Sequence, residues 1–282
     1  MLTLFRFLAG LPLPLLHAVG TALGWLVYSA SPSYRKRLRA NAALAGCTPA
    51  QVREAIAQAG RMATETPRIW LGKAVPTRWA GDEHIDTAIQ PGGKGLLLLT
   101  PHMGAFDSAA RTFAEDFGQR AALTVLYRPA RQAWLRGLMQ ASRTRPGMQA
   151  VPTSMSGVKA LLKTLRNGGA VAMLPDQVPP LGMGEWLPFF GKPAYTMGLA
   201  ARLACQTGAA VLWAWCERLP HGRGYVLHIR PSACGAITDA GQRLIALNEE
   251  LHRTIAMGPQ QYLWGYNRYK QPVPYAAPVD EA

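Results

Sequence analysis

The stretch LLLLTPHMGAFDSAAR, residues 96–111, sets the expected fold. Four leucines in a row, closed by Thr100 and Pro101, read as a strand from Leu96 to Thr100 that is buried on both faces, because an uninterrupted apolar run suits a parallel strand covered by helices. Pro101 ends the strand before His102, and Gly104 lets the backbone turn tightly into a helix predicted from Asp107 to Phe117. His102 is thereby exposed at a strand end, with a carboxylate returning beside it. A carboxylate on Nδ1 fixes the neutral imidazole tautomer and leaves Nε2 to take a proton from an alcohol. The pattern holds no protein nucleophile, so on this reading the alcohol would belong to a substrate and would attack an activated acyl carbon, the plain alternative being a histidine that is only a satisfied polar group. Asp107 has a second reading, as the cap of its own helix, and spacing alone does not separate the two.

Outward from this stretch, apolar strand patterns at Ala122 to Tyr127, Ala170 to Leu174, Ala209 to Ala214 and Tyr225 to Ile229 alternate with helical ones. The helices are predicted at Arg131 to Arg143, Ser156 to Arg166, Ala194 to Thr207 and Asp239 to Met257. Such alternation implies one α/β domain, with a mixed, largely parallel sheet flanked by helices. Helical spacing also runs through residues 33–73, and Pro76, Pro91, Gly92 and Gly93 mark the connection before the leucines. The boundaries drawn are 1–32 for an apolar leader, 33–272 for a single domain and 273–282 for a short tail.

With 30 basic residues against 16 acidic ones, the formal net charge is +14, which calls for an anionic partner. The segment from Phe7 to Ala30 carries no formal charge, and Arg35, Lys36, Arg37 and Arg39 follow it. A helix of this length crosses about 30 Å of hydrocarbon. Pro12, Pro14 and His17 argue against one straight spanning helix, so the expectation is a retained membrane anchor that spans or lies in the interface, with the basic cluster at anionic headgroups. A helix buried in the protein and a cleaved signal peptide are the alternatives, the latter fitting less well because strongly basic sequence follows the apolar run. Cys47, Cys205, Cys216 and Cys234 lie far apart without metal-ligand spacing, and no metal or cofactor is expected. Nucleic-acid motifs are absent, Gly92-Gly93-Lys94-Gly95 precedes its strand where a phosphate loop would follow one, and no Gly-x-Ser-x-Gly elbow occurs.

The H-x4-D motif from His102 to Asp107 resembles that of glycerolipid acyltransferases, and more closely that of the bacterial late acyltransferases of lipid A biosynthesis. Further blocks fall in the order of that family: Val125 to Pro129, with Tyr127-Arg128-Pro129; Leu174-Pro175-Asp176-Gln177, followed by Pro188 to Gly191; and Gln261 to Lys270. The apolar leader with Arg39-Ala40-Asn41 matches too, so the likeness spans about residues 1–272. The last block departs from the commoner family form by carrying Tyr266 and Asn267 where His and Arg often stand.

The resemblance implies an acyl-carrier-protein thioester as donor and a lipid A precursor with 3-hydroxyacyl chains as acceptor, at the cytoplasmic face of a bacterial inner membrane. His102 would be general base and Asp107 its orienter. Arg128, Asp176, Arg268 and Lys270 are expected at substrate phosphate, acceptor sugar or the developing oxyanion; Trp186, Phe189, Phe190 and Trp264 at acyl chain or lipid. A lysophospholipid or other polar lipid is the alternative acceptor, and a noncatalytic membrane-binding protein the alternative of a different class.

Overall fold

The structure, a computed structural model, describes residues 2–127, 132, 135, 137–139, 142 and 144–274. The leucine run forms β2 (Leu96–Leu99) at the heart of a seven-stranded sheet, all four residues buried. Strands β1 (Thr77–Ala80), β3 (Leu123–Tyr127), β4 (Met148–Pro152), β5 (Ala170–Met173), β8 (Ala210–Arg218) and β9 (Tyr225–Pro231) complete it, in the order β1-β9-β8-β2-β5-β3-β4. From β8 to β4 every pairing is parallel; β9 runs antiparallel to β8 and parallel to β1. The expected mixed, largely parallel sheet is therefore present, with the reversed strands confined to one side.

Alternation along β2 explains why the run is apolar on both faces. Leu97 and Leu99 enter one core, with Leu161 and Leu165 of α7 (Met155–Arg166), Leu203 of α8 (Leu199–Thr207) and Leu247 and Leu251 of α9 (Ala240–Ala256). Leu96 and Leu98 enter the other, with Ala109 and Phe113 of α6 (Phe106–Asp116) and Ile85 of α5 (Glu83–Ala88). Helices thus flank the sheet on both sides, which is what a parallel sheet requires.

Two expectations need correction. Residues 194–207 are not one helix: β6 (Gly184–Phe189) and β7 (Lys192–Met197) form a separate antiparallel hairpin, and the helix begins only at Leu199. The turn Phe190-Gly191 with Gly191 at φ 77° supplies the reversal, and the apolar residues of β7 imitate a helical face because Ala194 and Tyr195 are buried together. β1 and β4 carry too few apolar residues to stand out in the sequence. The helix expected at Arg131 to Arg143 lies largely outside the described residues.

The leader is also more divided than one anchor helix. It forms α1 (Leu2–Gly10) and α2 (Leu13–Ala30), broken before Pro12, and leads to the basic α3 (Pro32–Leu44). Leu13, Leu16, His17, Gly20, Gly24 and Tyr28 make one buried stripe of α2 at helical spacing. That stripe lies along α4 (Pro49–Leu71), where absent side chains let the two backbones touch. A Cβ on Gly60 would fall 1.9 Å from the Gly20 carbonyl oxygen and 2.7 Å from the Gly24 nitrogen. The opposite face of the leader leaves Phe7, Leu15, Val19, Leu26 and Val27 exposed.

Gly60→Ala is therefore expected to destabilise the protein by about 1–3 kcal/mol, the usual cost of overpacking a closed contact. Gly235→Ala, at a position open to solvent space, serves as control and should leave the midpoint of denaturation in detergent unchanged.

Candidate active site

The site is built where β2 and β5 end side by side. Their register pairs Leu99 with Met173, and each strand then runs through a proline, Pro101 or Pro175, to a polar residue three places beyond the pair. Those residues are His102 and Asp176. The His102 Nδ1 lies 2.7 Å from Asp176 Oδ1, and the His102 backbone N–H donates to Oδ2 at 3.0 Å. One carboxylate thus fixes both the ring and the main chain of the same histidine. Asp176 is buried at 1% exposure, yet its carboxyl sits below the usual range. Burial works to raise it, and the charge and hydrogen bonds of His102 outweigh burial.

The carboxylate on Nδ1 is therefore Asp176, where the 96–111 spacing pointed to Asp107. Asp107 lies in the first turn of α6 and its Oδ2 accepts from Trp70 Nε1 at 3.2 Å. The cap position of α6 is Ala105. Phe106 packs its ring edge-on to the His102 imidazole, 5.0 Å between centroids.

The loop bearing His102 is pinned by main-chain bonds. Leu263 N–H donates to the His102 carbonyl at 3.1 Å, Gly104 N–H to the Gln261 carbonyl at 3.0 Å, and Ala105 N–H to the Cys216 carbonyl at 2.9 Å. Gly104 has φ 59°, and a Cβ there would stand 2.0 Å from the Cys216 carbonyl oxygen, so only glycine fits. Beneath the loop, Arg218 Nη2 donates to the Gly104 carbonyl at 2.9 Å and also to Glu65 Oε1. Its Nε reaches Glu65 Oε2 at 2.9 Å, and its Nη1 donates to Gln58. Glu65 Oε2 also meets His17 Nε2 at 2.8 Å and accepts from the Tyr225 hydroxyl at 3.0 Å. Burial works to raise the Glu65 carboxyl, but Arg218 and His17 hold it below the ordinary value. Burial, with the Glu65 charge, pushes the Tyr225 phenol well up.

The remaining sequence candidates separate. Arg128 lies outside the described residues. Arg268, expected at a substrate, is instead packed inside the protein: it is 2% exposed, donates to the Tyr195 carbonyl at 2.7 Å and Thr196 Oγ1 at 2.8 Å, and lies over the Phe189 ring. Arginine beside aromatics reads alike on a surface and in a core, and only tertiary packing decides between them. Phe189 and Trp264 are buried in the same aromatic cluster with Phe190 and Tyr262, whereas Trp186 is 46% exposed on the hairpin. Lys270 stays half-buried with its ammonium 5.5 Å from the centroid of the Tyr266 ring. Tyr266 itself accepts from the Val178 N–H at 3.0 Å, so the departure from the commoner family residue props the loop that carries Asp176. Asn41 holds the same block from the other side, donating to the Trp264 and Tyr266 carbonyls at 2.8 and 2.9 Å.

Sequence reasoning missed Glu65, Arg218 and Gln177. Gln177 Nε2 stands 3.1 Å from His102 Nε2. It also gave Asp176 no contact with His102, although the repeated ending, Thr100-Pro101-His102 and Leu174-Pro175-Asp176, is a signal that would have found it. Two strands expected to be parallel, each ending in proline and then a polar residue, deliver those residues to one edge.

With this geometry in place, a family model for bacterial lipid A biosynthesis acyltransferase matches residues 1–271. The chain belongs to that family. It is 26% identical over 275 residues to the lipid A biosynthesis lauroyltransferase of Escherichia coli (strain K12), covering 92% of this chain and 87% of the relative. The lipid A biosynthesis palmitoleoyltransferase of the same organism is 26% identical over 276 residues, covering 92% and 86%. A phosphatidylinositol mannoside acyltransferase of Mycobacterium tuberculosis is 26% identical over 187 residues, covering 64% of this chain and 56% of that one. The protein is thus an acyltransferase of the lipid A biosynthesis type.

Two stability predictions follow from the acyltransferase's buried charges. Glu65→Gln leaves the Arg218 guanidinium buried without its counter-charge, and denaturant titration should show a loss of about 3–5 kcal/mol. His252, stacked on Phe190, is lowered from an ordinary 6.5 to about 4 by burial and by the charge of Arg268. Between those values the unfolded chain binds a proton that the folded chain refuses, so its contribution is full above pH 6.5 and declines as pH falls toward 4. His252→Phe keeps a ring on Phe190 and should flatten the fall of the melting temperature across that window.

Proposed function

We propose that this acyltransferase moves a fatty acyl chain from an acyl-carrier-protein thioester to the hydroxyl of a 3-hydroxyacyl chain on a lipid A precursor, with His102 as general base. The observation that carries the reading is the His102–Asp176 pair, in which Nδ1 lies 2.7 Å from a buried carboxylate oxygen; because that oxygen only accepts, the contact calls for the proton on Nδ1 and leaves Nε2 its lone pair. As the hydroxyl oxygen attacks the thioester carbon, Nε2 takes its proton, and Asp176 stabilises the imidazolium that forms. Collapse of the tetrahedral intermediate breaks the carbon–sulfur bond, and the imidazolium returns the proton to sulfur. A thiol leaves readily, so donors for the carbonyl oxygen matter more than acid assistance. We assign Arg128 to that charge or to a substrate phosphate, Lys270 to phosphate beside the Tyr266-supported loop, and Trp186 to lipid. Asp107 acts through the start of α6, holding the helix against Trp70 behind the His102 turn.

The membrane setting has its own support. Trp25 is exposed with Leu26 and Val27 in the last third of α2, and the exposed charges of Lys36 and Arg39 follow on α3. Such a surface suits a helix pair lying in the interface of the bacterial inner membrane, with anionic headgroups at α3 and the site on the cytoplasmic side.

The test is transfer from acyl-carrier-protein thioesters to lipid A precursor by purified protein in detergent, with lysophospholipid as parallel acceptor and products read by mass spectrometry. Wild type should give the ester on the precursor. His102→Ala should abolish it, and Asp176→Asn should lower kcat about 10²- to 10⁴-fold, as loss of the imidazole orienter does elsewhere. Asp107→Asn should cost less than Asp176→Asn. Product on lysophospholipid alone would move the acceptor while keeping the dyad; transfer undiminished in His102→Ala would remove the mechanism.

A further inference from the structure

We propose that Gln177 decides between acyl transfer and hydrolysis, by occupying the proton-accepting nitrogen of His102 until an acceptor hydroxyl displaces it. The inference rests on His102 being the base. The Gln177 amide nitrogen is 3.1 Å from His102 Nε2, and an amide nitrogen carries only donors. The ring nitrogen therefore supplies the lone pair. The same tautomer follows independently from Nδ1, which is 2.7 Å from the acceptor-only Asp176 carboxylate. In a neutral imidazole no other assignment satisfies both contacts, so the amide caps the very lone pair that general-base catalysis needs.

The cap can leave without disturbing the dyad. On one side of Gln177, Asp176 is bonded to the His102 main chain and ring; on the other, Val178 N–H is bonded to the Tyr266 hydroxyl. The backbone is held at both neighbours, and the half-buried side chain between them turns on its own rotatable bonds. An acceptor anchored by its remote contacts presents its hydroxyl at high effective concentration and replaces the amide. A water molecule has no such anchorage and must compete with the amide for the same lone pair. Where water wins, its oxygen attacks the thioester carbon while Nε2 takes its proton. The carbon–sulfur bond breaks, the proton passes to sulfur, and carboxylic acid and thiol result. Gln177 accordingly suppresses loss of donor while no acceptor is bound.

The experiment measures free fatty acid and ester from an acyl-carrier-protein thioester, and in parallel from an acyl-coenzyme A, with and without lipid A precursor, using the full chain in detergent. Gln177→Ala, and Gln177→Met, which keeps the length but lacks the donor, should raise acceptor-free hydrolysis about 3- to 10-fold, the weight of one competing hydrogen bond. Both should also lower the KM for the acceptor. A merely structural role would leave the ratio of hydrolysis to transfer unmoved, and that result in both folded variants would overturn the proposal. So would a joint fall of hydrolysis and transfer, which would make Gln177 a donor to the reaction itself. His102→Ala separates the two readings: if it retained wild-type hydrolysis and transfer, the base assignment would fail, whatever the Gln177 ratio. A different preferred acceptor leaves the hydrolysis comparison intact, because that arm contains none.

Discussion

One buried ion pair, Glu65 with Arg218, joins the parts of this molecule that have to move as a unit. Both side chains are 1% exposed, so neither charge has water to fall back on. Such a pair is tolerable only where every remaining donor and acceptor is met. Here Glu65 serves Arg218, His17 and Tyr225, while Arg218 also serves Gln58 and the Gly104 carbonyl. The leader helix α2, the long helix α4, the ends of β8 and β9 and the turn below His102 meet at one pair of charges. Removing any member exposes the rest to desolvation without compensation, and that makes the junction stiff.

Stiffness at that junction matters because the geometry of the proposed dyad has little slack. His102 and Asp176 come from adjacent parallel strands at equal height, each three residues beyond the pair Leu99 and Met173. Neighbouring strands are about 4.8 Å apart, which leaves room for one hydrogen bond between side chains and for little more. A slip of either loop would break the Nδ1 contact and the main-chain contact to Asp176 together. The carbonyl of Gln261 and the N–H of Leu263, in one segment, and the carbonyl of Cys216, in another, hold the loop against such a slip.

The sheet was legible in the sequence wherever burial is two-sided. Leu96 to Leu99, Ala170 to Met173 and the start of β8 are apolar runs because helices cover both faces; the first two agree with expectation to within a residue, whereas β8 starts as expected but runs on past Ala214 to Arg218, where charged residues replace the apolar run. The hairpin of β6 and β7 was not legible, since a short antiparallel pair with one buried face mimics the neighbouring helix. At the site, His102 was legible from Pro101 and Gly104. Its carboxylate partner was not, because H-x4-D draws attention to the near residue, and the contact is made across a strand boundary 74 residues on. Long-range pairing leaves no local periodicity to read. The Glu65 and Arg218 junction is hidden for the same reason, with 153 residues between its members.

The apolar leader illustrates how one pattern serves two environments. Its hydropathy marks it as able to cross a bilayer, yet its inner stripe is committed to α4 through Gly20, Gly24 and Gly60. His17, the residue that argues most strongly against a lipid surround, is the one that enters the buried ion network. Drawing α2 away from α4 into hydrocarbon would cost that imidazole its Glu65 partner and open a groove shaped by missing side chains. The outer stripe bears no such commitment and remains available to lipid. In the proposed interfacial setting, the helix that touches the bilayer is therefore bonded through Glu65 and Arg218 to the turn that carries His102, the proposed base. In that setting the buried ion pair links the lipid-facing helix to the site.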